Sequence, residues 1–148
     1  MSAMRRKVNT LKGTAALSRR FSRTLKRGKK SVVVVLYGEL GAGKTTFVKG
    51  LAEALGVRGT VTSPTFVIEK IYLLKRQKFS KLVHIDAYRL GHARELEQLG
   101  FKELLNDPSN LIVIEWGEKV ASILPKKFHR INFTFTDEKS RHIDITHG

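Results

Sequence analysis

Residues Gly38, Glu39, Leu40, Gly41, Ala42, Gly43, Lys44 and Thr45 match the pattern G-x-x-x-x-G-K-[ST]. The pattern has a physical use. Glycines let backbone N–H groups converge on phosphate oxygens without β-carbons in the way, and the dipole at the start of the following helix favours the anion. In that arrangement Lys44 bridges the β- and γ-phosphates, while the Thr45 hydroxyl ligates magnesium. The required context is present: the β-branched run SVVVVLY at 31–37 lies before the turn, and a helical pattern follows it. A glycine turn without a ligand is the alternative reading.

A phosphate loop of this kind works with a second acid near the magnesium, at the end of a neighbouring strand. Glu115 is the candidate, because it follows the apolar run 111–114 and ends a strand at the edge where α/β proteins bind ligands. A plain surface strand end is the alternative. Trp116, the one tryptophan, either walls the nucleotide site or simply packs. Asp86 ends another strand, in VHIDAYR at 83–89, where His84, Asp86 and Tyr88 share one side of an extended segment. Asp86 is placed to hold a metal-bound water or orient the attacking one, a structural hydrogen bond being its alternative. His84 reads as a structural histidine. The hydroxyl-rich loop 62–66 (TSPTF) follows the phosphate-binding helix, where a loop can sense a γ-phosphate by ordering on it.

The elements that must position these groups can be read coarsely. Residues 31–37 suit a central parallel strand covered on both faces. The turn at 38–46 leads to a helix over 47–55, ended by Gly56. Strands at 67–74 and 82–86 form an antiparallel hairpin, and short helices cover 93–99 and 101–105. The second buried strand is 111–115, a helix is expected over 118–124, and 130–136 with 142–146 alternate as a two-strand ribbon. The expected fold class is α/β: a P-loop NTPase-like three-layer fold with a mixed sheet and flanking helices. A length of 148 residues fits one domain over 1–148, with 1–13 a flexible basic N-terminus.

Composition narrows the chemistry further. There is no cysteine, which excludes a disulfide framework, a thiolate zinc site and a cysteine nucleophile. The longest apolar run, 32–37, is far short of the roughly 18 residues that cross a bilayer, so no membrane association is expected and the cytoplasm is the expected compartment. The formal charge is +15, and residues 1–38 hold 11 of the 28 basic side chains and no acidic one. Leu17, Phe21 and Leu25 recur every four residues and make one buried helical stripe, leaving Arg19, Arg20, Arg23 and Lys26 outside. That outer face is either a solvated surface or a nucleic-acid contact; a transit peptide is disfavoured because the stripe is needed for a core.

Four strings together carry a resemblance: residues 38–46 (Gly38 to Thr46), then 62–66 with Thr65, then His84-x-Asp86-x-Tyr88-Arg89, then Glu115-Trp116. In that order and spacing they resemble the bacterial TsaE (YjeE) ATPase family, over about residues 14–146. The resemblance implies an ATPase subunit of the machinery that makes threonylcarbamoyladenosine in tRNAs reading codons beginning with A. It implies TsaD and TsaB as partners, and ATP and Mg2+ as ligands. It further implies that Lys44 and Thr45 bind phosphate and magnesium, Glu115 completes the metal site, Asp86 serves hydrolysis, Thr65 lies in a switch-like loop and Trp116 stands beside the acid. tRNA would be met indirectly or through the basic N-terminal face. Two other readings remain: a small-molecule kinase, for which no lid-length insertion is evident, and a non-catalytic nucleotide-gated interaction module. A GTPase is excluded, since neither Asn-Lys-x-Asp nor D-x-x-G occurs.

Overall fold

A computed structural model describes residues 3–8, 10–38, 43–58, 68–75, 77–135 and 140–148. The elements in chain order are β1 (Ala3–Val8), α1 (Leu11–Thr24), β2 (Val32–Tyr37), α2 (Lys44–Ala54), β3 (Glu69–Leu73), β4 (Lys81–Asp86), α3 (Ala93–Gln98), α4 (Phe101–Asn106), β5 (Asn110–Glu115), β6 (His129–Phe135) and β7 (Arg141–Thr146). The seven strands form one sheet in the order β1-β7-β6-β2-β5-β4-β3. Strands β4, β5, β2 and β6 run parallel, whereas β3, β7 and β1 each pair antiparallel with a neighbour.

The apolar run of β2 explains the centre of this sheet. Val32, Val34 and Leu36 face a cluster shared with α1 and α2, while Val33 and Val35 face a second cluster with α3 and α4. A strand buried on both sides cannot alternate with polar residues, and β2 does not. On the first face the stripe of Leu17, Phe21 and Leu25 is buried as expected, and Phe21 meets Phe47 of α2 at a ring-centroid distance of 5.8 Å. Gly50 permits this approach, because a β-carbon there would collide with Ser18 Oγ of α1. The mixed sheet with helices on both faces is the α/β fold expected from the sequence.

Three segments differ from expectation. Residues 3–8, within the stretch read as a flexible tail, form the edge strand β1 against β7, with Met4 and Val8 packed beneath α1 and Arg5 paired to Asp144 at 3.1 Å. Its charged residues disguise the strand and also suit an edge, where cations discourage pairing with other chains. α1 begins at Leu11, capped by Thr10, whose Oγ1 accepts from Gly13 N at 3.0 Å. The helix expected over 118–124 is two 3-10 turns, Gly117–Lys119 and Ala121–Ile123, the tighter form common in short connecting segments. Among the described residues no helix is long and apolar enough to cross a membrane.

Candidate nucleotide-binding site

The parallel strands deliver their C-terminal ends to one edge of the sheet. In register, Leu36 of β2 stands beside Glu115, the last residue of β5, and Glu115 beside Asp86, the last residue of β4. The phosphate-loop segment leaves β2 at this level. Gly38 has φ +140°, and a β-carbon on it would lie 2.8 Å from the Phe133 carbonyl oxygen; Gly43 has φ +98° and caps α2. Gly38 requires glycine for conformation and space, and Gly43 for conformation. Glu39, Leu40, Gly41 and Ala42 lie outside the described residues, as does Thr65 with the loop around it.

Lys44 opens α2 and is buried. Its Nζ donates to the Gly38 carbonyl at 2.6 Å and sits 3.9 Å from the centroid of the Trp116 ring. The lysine thus spans the turn from one end to the other. Burial pushes its pKa down, against the pull of Glu115, Glu118 and Asp86. Thr45 and Thr46 follow in the first turn of the helix, both half-buried.

Glu115 is buried, and its Oε2 lies 2.6 Å from Nε2 of a fully buried His84. The alternation of β4 puts His84 and Asp86 on the face that carries α2, while Tyr88, expected in the same row, lies beyond the end of the strand. Asp86 Oδ1 accepts from Tyr88 N at 3.0 Å, and the Tyr88 ring packs on Trp116 with centroids 4.9 Å apart. Trp116 itself adopts φ 62° and ψ 51°, a left-handed conformation uncommon for a bulky residue. Gly117 behind it admits no side chain, since a β-carbon would collide with Val35 Cγ1. The turn therefore aims the indole at Lys44.

Two functional neighbours escape sequence reasoning. His84 is structural in the sense expected, but its partner is the metal-candidate acid, a pairing set by the register of β4 on β5. Arg141, the first residue of β7, reaches the phosphate-loop segment: its NH1 is 2.7 Å from where a Gly43 β-carbon would stand. Its buried Nε and NH1 have no hydrogen-bond partner among the described residues. Nothing in its local sequence marks it. Among the described residues there is no cluster of three or more histidine, aspartate or glutamate ligands for a metal. The donor set fits a hard cation that Thr45 and Glu115 would hold together with a phosphate anion, toward which Lys44 and the partly buried Arg141 would supply positive charge.

Comparison with known proteins gives the family. A sequence profile of the family described as Threonylcarbamoyl adenosine biosynthesis protein TsaE matches residues 8–143. The chain is 44% identical over 135 residues to the tRNA threonylcarbamoyladenosine biosynthesis protein TsaE of Streptomyces coelicolor, covering 88% of this chain and 87% of that one. It is 36% identical to the protein of that name from Mycobacterium leprae, covering 89% and 80%. The crystal structure of YdiB from Bacillus subtilis superposes with a TM-score of 0.79 at 28% identity, over 99% of this chain and 86% of that one. A phosphate-loop lysine braced across its own turn, with two carboxylates at the adjoining strand ends, thus sits in a chain that belongs to the TsaE family.

Proposed function

We propose that this chain serves tRNA threonylcarbamoyladenosine biosynthesis by binding and hydrolysing Mg–ATP, as the ATPase subunit that works with TsaD and TsaB homologues. The observation that carries the reading is the convergence of Lys44, Glu115 and Asp86 on one sheet edge around the Gly38–Gly43 turn. Lys44 exchanges its contact with the Gly38 carbonyl for phosphate oxygens. Thr45 and Glu115 hold the magnesium, with His84 fixing the carboxylate from behind. The ion, when bound, neutralises charge on the phosphates. Asp86 orients the attacking water and accepts its proton, and Trp116 walls the site. Arg141 adds a second cation at the loop.

The test is reconstitution with TsaD and TsaB homologues and unmodified tRNA. Modified adenosine formed per TsaD should rise when this chain and ATP are both present, with inorganic phosphate released. Phosphate appearing on a small metabolite instead would make the protein a kinase, and an unchanged yield would end the proposal.

A further inference from the structure

The two edges of the parallel strands differ in their acids. The carboxylates Asp86, Glu115 and Glu118 gather around Lys44 at the C-terminal edge of the parallel strands. The opposite edge is cationic. Exposed Lys26, Arg27, Lys29 and Lys30 lie in the segment that enters β2 from α1. Exposed Lys75 and Lys78, with Lys81, lie where β3 turns into β4, and exposed Lys126 and Lys127 precede β6. Hydrogen bonds weld part of this edge together: Lys78 Nζ donates to the Ser22 and Leu25 carbonyls at 3.0 and 2.6 Å, and Arg27 Nε donates to the Pro108 carbonyl at 3.2 Å. The adjoining segments carry the acids Glu53, in the last turn of α2, Glu103 of α4 and Asp107. Asp107 is already engaged by Ser109 N and Oγ, at 2.9 and 2.6 Å.

We infer that this cationic edge is a docking surface for the phosphate backbone of tRNA. The segments entering β6, β2 and β4 span three strand spacings, about 14 Å, and the outer face of α1 with Arg19, Arg20 and Arg23 extends the surface sideways. That breadth lets several phosphates be neutralised at once, which releases their counterions. Lysines at loop tips hold phosphates without reading bases, so binding there is independent of sequence and steep in salt. The polyanion handled in this biosynthesis is tRNA. Its contact lies at the far end of the strands from the nucleotide, so the two anions do not compete for cations. The inference rests on the family's role in tRNA modification and not on ATP hydrolysis.

The experiment measures fluorescence polarisation of a labelled, unmodified tRNA transcript without nucleotide across a salt series. A triple variant, Lys26→Glu with Lys29→Glu and Lys30→Glu, should lose about tenfold or more in affinity at low salt, with a salt slope shallower by about one for each phosphate contact removed. Lys126→Glu with Lys127→Glu should act likewise, and both should keep the thermal shift given by Mg–ATP. A control with the same change in charge, Lys49→Glu with Arg94→Glu and Lys102→Glu, should stay close to the parent. If any reversal unfolds the chain, the corresponding Gln variants are measured in its place. An unaltered affinity and slope in both edge variants would overturn the inference, as would an equal loss in the control. So would a parent protein that binds anionic phospholipid vesicles but not the transcript.

Discussion

The Glu115 carboxylate lies 2.6 Å from His84 Nε2, and both side chains are enclosed by β4, β5 and the helix above them. A buried carboxylate that loses one of its hydrogen-bonding partners retains its desolvation cost. His84→Ala should therefore lower unfolding stability by about 2–3 kcal/mol in urea titrations. It should also raise the magnesium concentration needed for ATP binding, because the carboxylate is no longer held. Parental stability in the variant would show that the pair contributes little.

Lys44 carries a conflict between stability and function. Its pKa is lowered by burial, so the folded chain binds this proton less tightly than the unfolded chain does. Lys44 thus opposes folding at neutral pH, and the penalty fades as pH rises toward the ordinary lysine range. Lys44→Met should stabilise the nucleotide-free protein by on the order of 0.5–1 kcal/mol at pH 7, the gap narrowing in alkali. The same variant should lose the rise in melting temperature caused by Mg–ATP. A full shift in the variant would remove Lys44 from the site.

Asp86 ends its strand next to Glu115 but makes its own contact with the Tyr88 amide. Asp86→Asn should preserve nucleotide affinity and reduce phosphate release by about 100-fold or more. Isothermal titration and a phosphate-release assay separate the two effects. Undiminished turnover would leave the residue a purely structural role.

Acid sensitivity is expected on the same face of the sheet, beneath α1. His129 Nδ1 and His147 Nδ1 are 3.1 Å apart, and the His147 ring stacks on Phe21 at 5.6 Å. Burial and the neighbouring His147 pull the His129 pKa below 6.5. The stability associated with the neutral ring is therefore complete above pH 6.5 and declines as pH falls toward the depressed value. Urea midpoints at pH 7.5 and about 5.5 should differ less in His129→Phe than in the parent. Equal slopes in both proteins would exclude this pair as the cause.

Much of the architecture was legible from local patterns. The run 31–37 and the strand ends at Asp86 and Glu115 are short-range signals, and each lies where the sequence puts it. What stayed hidden depends on register and distance. His84 and Glu115 are 31 residues apart, and only the pairing of β4 with β5 brings them together. Arg141 reaches Gly43 because β7 folds back beside β6, which alternation alone does not reveal. β1 was concealed because Arg5, Arg6 and Lys7 break the apolar pattern of an edge strand whose inward contacts come from Met4 and Val8.

The left-handed turn at Trp116 holds the chain's one indole against the Lys44 ammonium. Any anion that draws Lys44 away changes the electric environment of that ring, so its emission becomes a built-in gauge of occupancy. On the proposed reading, a nucleotide titration would need no attached dye.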